Sequence, residues 1–187
     1  MSPTAAIALE PIQASILELH RNASTIHTYS PGIIPGTLQT EDYARAIFTS
    51  VGELHRAADH DIEAAIQARM ARRELIDETR QFEYILNEHA LTNVVAAPAV
   101  HSEQLHLLLD CMERPGLTVG IVPDEVPLRA HWGFTIVNEV RVELDQYQGP
   151  HTVTEPENVQ RFRKAFRRLR DTAVLGDDAR TLISALI

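Results

Sequence analysis

Apolar residues recur along this chain in two rhythms, and the change from one to the other marks out its elements. From Ala5 to about Thr28, the residues Ile12, Ile16, Leu19, Ala23 and Ile26 stand three and four apart, the spacing of one helix face. Pro11 suits a first helical turn and marks where the helix proper begins. Pro35-Gly36 predicts a tight turn, with proline pre-setting φ and glycine permitting a positive φ after it. Thr40 then reads as an N-cap, and Glu41 and Asp42 favour the positive helix start. Tyr43, Ala46 and Ile47 form the stripe of a helix over 41–50, which Gly52 ends. Asp59 caps a further helix from about His60 to Thr79, with Ile62, Ala65, Ile66, Met70 and Ile76 inward.

At Gln81 the rhythm shortens to two. Phe82, Tyr84 and Leu86 alternate with Gln81, Glu83, Ile85 and Asn87, a half-buried strand. A short helix over His89–Val95 follows, then a helix over Glu103–Met112 capped by Ser102, with Leu105, Leu108, Leu109 and Met112 buried. Leu117–Val122 is nearly all β-branched or apolar, which predicts a central strand. Gly133–Val137 and Val140–Leu144 are two more strands joined by a tight turn at Asn138-Glu139. Thr154 caps a helix over 155–174 whose stripe is Val159, Phe162, Phe166, Leu169 and Ala173, and Gly176 separates off a last helix, Asp177–Leu186. The sum is an α+β fold: a small, mostly antiparallel sheet of about four strands, packed with about six helices on one side. The 187 residues suit a single domain with a substantial core. Within it, residues 1–30 form a lead-in helix, for dimerisation or as a linker, and 31–187 form the core.

Charge narrows the function classes. The net charge is −9, with 26 acidic residues against 17 basic. A chain whose main task is to grip phosphate backbones needs a basic surface, so direct DNA binding is not expected. The single cysteine, Cys111, excludes a disulfide framework within one chain and fits a reducing cytoplasm. No export signal and no apolar run long enough for a membrane span are read.

Candidate chemistry is sparse. There is no glycine-rich phosphate loop, no Cys-x-x-Cys pair, no His-Glu-x-x-His and no Gly-x-Ser-x-Gly elbow, so neither a metal nor a cofactor is expected. His55 and His60, like His101 and His106, are five apart and do not share a helix face. Cys111 lies in a leucine-rich stripe and reads as core. Arg69, Arg72, Arg73 and Arg80 do share a face. That row is either a bidentate clamp for a carboxylate or phosphate or a solvated face laced to Glu74, Asp77 and Glu78. Glu88, at a strand end, either faces a pocket or caps the next helix. Arg161, Arg163, Lys164, Arg167, Arg168 and Arg170 form a basic run on the 155–174 helix. It is either solvated or a patch for an acidic partner, or for DNA already held by a neighbouring module.

The stretch Pro35-Gly36-Thr37-Leu38-Gln39-Thr40, with Tyr43-Ala44-Arg45-Ala46 after it, resembles the signature of an uncharacterised domain family. That family usually lies C-terminal to an Xre-type helix-turn-helix in actinobacterial regulators, the WhiJ-like proteins among them. Other pieces follow in the family's order: Leu19–Ala23 with Tyr29–Gly32, Ala68–Arg73, Asn87–Leu91, Gln104–Leu108 and Leu117–Pro123. The likeness departs at Val126–Trp132, where the family's loop is usually glycine-rich. It implies a helix-turn-helix ahead of this domain. The stretch before residue 17 is too short to hold one, which leaves either a longer regulator or a free-standing member.

Two functions are carried forward. The first is a non-catalytic ligand-sensing or protein-interaction domain of an Xre-type regulator. Its expected ligand residues are Pro35, Gly36, Gln39, Tyr43, Arg69, Arg72, Arg73, Tyr84, Glu88, Trp132 and Phe134. Its expected partners are an unidentified small-molecule effector, a small acidic protein or a second copy of the chain. The second is a free-standing isomerase, cyclase or hydrolase of natural-product metabolism. It would pack an apolar substrate on Trp132 and Tyr84 and move protons with His131 and either Glu88 or Glu139.

Overall fold

The computed structural model describes residues 8–55, 58–127, 132–146 and 149–187. Among them lie seven helices: α1 (Leu9–Arg21), α2 (Glu41–His55), α3 (Asp59–Arg73), α4 (His89–Thr92), α5 (Pro98–Cys111), α6 (Pro156–Thr172) and α7 (Gly176–Ser184). A single 3₁₀ turn covers Gly36–Leu38. The strands are β1 (Thr25–Ser30), β2 (Gln81–Asn87), β3 (Leu117–Val122), β4 (Phe134–Val137), β5 (Arg141–Gln146), β6 (Gly149–Val153) and β7 (Val174–Leu175). They form one sheet in the order β6-β5-β4-β1-β2-β3-β7. The α+β class is as the sequence predicts, and most strand pairings are antiparallel. The central pairings β1 with β2 and β2 with β3 are parallel, so the sheet is mixed and larger than the four strands expected.

Each unexpected strand has a local cause. In β1 only Ile26 and Tyr29 are fully buried, and their three-residue spacing mimics the preceding helix. Asn22 ends α1, and the β-branched Thr25, Ile26 and Thr28 then favour extension. Residues 25–30 are therefore a central strand, not the end of a lead-in helix. β6 opens on Gly149-Pro150, which reads as a breaker. Proline is tolerated because β6 is an edge strand, paired with β5 alone. β7 is two residues long and follows α6 without a sequence break.

Helices cover both faces of the sheet, not one. Ile26, Phe82, Tyr84, Leu86, Val119 and Ile121 join a core with Leu105, Leu108, Cys111 and Ile183 from α5 and α7. On the other face, Tyr29, Ile85, Val122, Phe134 and Ile136 meet Val159, Phe166 and Leu169 of α6. A third cluster, Leu9, Phe48, Ile62, Ala65 and Ile66, joins α1, α2 and α3. The buried face of α1 is Leu9, Gln13, Leu17 and His20. It is rotated from the expected stripe because two of its members are polar. α1 thus packs on α3, and its start is capped from there: Leu9 and Glu10 donate their backbone N–H to the Asp61 carboxylate at 2.7 and 3.0 Å. Asp59, expected as a cap, lies in the first turn of α3, and α5 begins four residues before Ser102 with Pro98 in its first turn.

Two glycines adopt left-handed backbone, Gly116 at φ 78° and Gly176 at φ 56°. A Cβ on Gly116 would collide with the carbonyl oxygens of Asp77 and Arg80, whereas nothing lies within 4 Å of one on Gly176. Gly176→Ala should therefore cost about 1 kcal/mol, the backbone penalty alone. Gly116→Ala should cost about 3 kcal/mol or more, because strain and collision add. Urea unfolding of the two variants checks the order.

Candidate functional site

The Pro35-Gly36 corner brings together Gln39, Arg69, Arg72 and Arg73 of the expected ligand residues, and it is packed shut. The 3₁₀ turn following Pro35 brings Gln39 against α3. Arg69 Nη1 donates to Gln39 Oε1 at 2.7 Å, and Arg73 Nη1 donates to the Gln39 carbonyl at 3.0 Å. Gln39 Nε2 donates back to the Ile34 carbonyl at 2.6 Å. From α1, Gln13 Oε1 accepts from Arg72 Nη2 at 2.9 Å and from Arg69 Nε at 3.3 Å. Gln104 of α5 completes the hold, accepting from Thr40 N at 2.7 Å and donating to the Leu38 carbonyl at 2.8 Å. Thr40 caps α2 as expected, its hydroxyl accepting from Tyr43 N at 3.2 Å.

Gly36 has its own part in this closure. It is not among the residues with positive φ, contrary to the turn expected. A Cβ there would stand 2.9 Å from Arg72 Nη2 and 3.1 Å from Arg69 Nε, so glycine serves close approach instead. The arginine row faces inward, and Arg72 is only 5% exposed. Arg80 lies beyond α3 and pairs separately with Asp77 at 2.9 Å.

Ionisation in this corner is governed by burial. Tyr84 is pushed up to about 12 by desolvation, with the Thr37 hydroxyl and the Arg72 charge pulling partly the other way. Tyr43 is also raised by burial. His20 is lowered to about 3, first by desolvation and then by the nearby Arg72 charge. Neither Gln13 nor His20 was signalled by hydrophobic spacing. Their only trace is their place at i+4 and i+11 from Leu9, on the face that α3 covers.

The remaining expected residues lie elsewhere. Glu88 accepts a hydrogen bond from Asp124 N at 3.0 Å, so it ties the end of β2 to the end of β3. Trp132 is 80% exposed on the approach to β4. Phe134 belongs to the face under α6, near Tyr29 and Phe162, and the sheet separates it from Tyr84. His131 lies outside the described residues.

A second arrangement, not foreseen in the sequence, sits between α6 and the sheet. A cavity of about 230 Å³ is lined by His27, Glu83, Ile136, Glu139, Arg163, Phe166, Arg167 and Arg170. Asn138 and Glu139 both take left-handed backbone, at φ 49° and 62°. Asn138 fixes this turn by accepting from Ser24 N at 2.8 Å and Thr25 N at 3.2 Å. The turn brings Glu139 between His27 Nδ1, at 2.9 Å, and Arg163, with which it forms an ion pair. The His27 ring stacks on Phe166 at 5.1 Å and 8°. Arg170 pairs with Glu83 at 2.6 Å. The partner of Glu139 in this arrangement is His27, a residue taken from the sequence for helical and now in β1.

The depressed His20 pKa sets an expected acid response. Between pH 6.5 and about 3 the unfolded chain binds a proton at His20 that the folded chain refuses. Stability therefore falls as pH drops through that window. A His20→Gln variant should show a shallower loss than the parent below pH 6.5, measured as the urea midpoint against pH.

Curated proteins give no match to the sequence. Among solved structures, the chain is similar to Nuc from Salmonella typhimurium, a phospholipase D family member, at 12% identity and a TM-score of 0.46, over 88% of this chain and 90% of that one. It is also similar to TrmBL2, an archaeal chromatin protein, at 12% identity and a TM-score of 0.42, over 89% of this chain and 51% of that one. A family model described as a domain of unknown function, DUF5753, matches residues 13–185, and the chain belongs to that family.

Proposed function

We propose that this chain is the ligand-sensing or protein-interaction domain of an Xre-type transcription regulator and is not itself a catalyst. One observation carries the non-catalytic part: the arginine row at the Pro35-Gly36 corner spends its donors on the chain's own amide side chains and carbonyl. The buried His20, Tyr43, Tyr84 and Cys111 are moved by desolvation away from neutral pH, which supports the same reading. Family membership, with the Pro35–Thr40 signature, supports the regulator context and a cytoplasmic setting. Among the described residues, no helix is long and apolar enough to cross a membrane.

In this reading the domain meets an effector, a small acidic protein or a second copy, and leaves DNA to a neighbouring module. Effector binding would shift DNA affinity by a coupling free energy of about 1–3 kcal/mol. The second reading, a small enzyme of natural-product metabolism, is favoured by one contact, the 2.9 Å approach of His27 to Glu139. It would replace the His131 of the sequence expectation by His27.

Native mass spectrometry of the protein purified from its producing cells separates the two. The expected result is a retained small molecule, a bound partner or a dimer, with any small molecule recovered chemically unchanged after prolonged incubation. Conversion of the retained molecule into a chromatographically distinct product, or recovery of only an empty monomer, would overturn the sensing reading.

A further inference from the structure

We infer that the cavity between α6 and the sheet binds a small amphipathic organic monoanion, a carboxylate whose charge meets Arg167 and whose apolar part lies on Ile136 and Phe166. Arg163, Arg167 and Arg170 stand at i, i+4 and i+7 on α6, so all three reach the same side. The outer two are matched, Arg163 by Glu139 and Arg170 by Glu83. Arg167, between them, has no such partner among the described residues and is exposed at the cavity's mouth. Its guanidinium keeps its donors for an arriving group, and a carboxylate fits that fork bidentately.

The charges around the cavity set the valence. The three guanidinium groups outnumber the two carboxylates, Glu83 and Glu139, which leaves one positive charge among them. A single negative charge balances it. A phosphate dianion would overshoot and would have to compete with Glu83 and Glu139 for the outer arginines. The floor sets the rest of the ligand: Ile136 and Phe166 close the base of the charged rim with only 1% and 3% of their surface open, so the part of the ligand that reaches them is small and apolar. Pockets that take one small molecule combine apolar walls with a few placed polar groups in this way.

Size limits the class further. The volume of about 230 Å³ lies below the ~300–1,000 Å³ typical of drug-sized ligands. At ~30 Å³ per water-sized group it holds roughly eight of them, which suits a molecule on the scale of benzoate. The walls are held in advance. The turn at 138–139 is anchored to Ser24 and Thr25, and His27 is braced by Glu139 and Phe166. A preformed site loses less on ordering when it fills.

The inference deepens the sensing reading and rests on it only for what occupancy does, not for whether the cavity fills. The test is an NMR titration of the whole chain with benzoate, inorganic phosphate and benzyl alcohol. Benzoate should bind saturably and shift the amides of His27, Ile136 and α6, while the other two bind more weakly. Arg167→Gln should weaken benzoate roughly tenfold, the scale of a lost charged hydrogen bond at a partly exposed site. Arg168→Gln, exposed on α6 outside the cavity, should leave the affinity unchanged. Equal or tighter binding of phosphate, no saturable shift at those residues, or undiminished binding by a folded Arg167→Gln variant would overturn the assignment. The two ideas fail separately. If benzoate fills the cavity but native mass spectrometry shows a converted compound, the site stands without the sensing role. If benzoate does not bind but an unchanged effector is retained elsewhere, sensing stands without this site.

Discussion

A guanidinium carried to near-complete burial has to be met by oxygen, and the need of Arg72 organises one end of this molecule. Unpaired, such a charge is costly in a low-dielectric interior. α1 supplies Gln13, and the 3₁₀ turn supplies Gln39 to the neighbouring arginine. Because these amides are uncharged, they satisfy donors without adding a second buried charge. The same contacts bring α1, α3 and the 34–40 stretch together, and Gln104 extends the hold to α5. Removing any one member strands polar groups on several elements at once.

The chain carries two arginine triplets that look alike as sequence and differ entirely in use. Arg69, Arg72 and Arg73 are covered by α1 and the 3₁₀ turn, and their donors are directed to internal acceptors. Arg163, Arg167 and Arg170 lie over the opposite sheet face, two of them balanced by carboxylates from β2 and the β4–β5 turn. Only the second set leaves a charged group at an opening. What separates them is which neighbour folds over each helix, and composition does not carry that information.

Much of the core was legible because its periodicity is undisturbed. The α6 stripe, the Ile62–Ile66 part of the α3 stripe, the apolar run of β3 and the tight turn at 138–139 follow from spacing and turn chemistry, whereas β2 is buried on both faces from Tyr84 onward rather than half-buried, and α3 ends at Arg73, short of Thr79. Legibility failed where polar residues are buried. Gln13 and His20 sit on the inner face of α1, so the apolar stripe points away from the true contact. His27 and Thr28 interrupt the alternation of β1, hiding a central strand inside a helical rhythm. The cavity under α6 was hidden for the same reason, since it depends on β1 lying beside β4. The Asp61 carboxylate that caps α1 comes from a helix 51 and 52 residues later, beyond the reach of any local rule.

The position of β1 also bears on how the chain is made. Thr25 pairs with Gln81 and Ile26 with Val137, so β1 must wait for partners synthesised about 55 and 110 residues later. Until residue 137 has left the ribosome, β1 exposes an unsatisfied edge with Ile26 and Tyr29 unburied. Long-range pairings of this kind slow folding and lengthen the time in which an open edge can meet a wrong neighbour. The nascent chain therefore has a window of vulnerability that closes only when β4 is complete, and holding chaperones have most to offer it there.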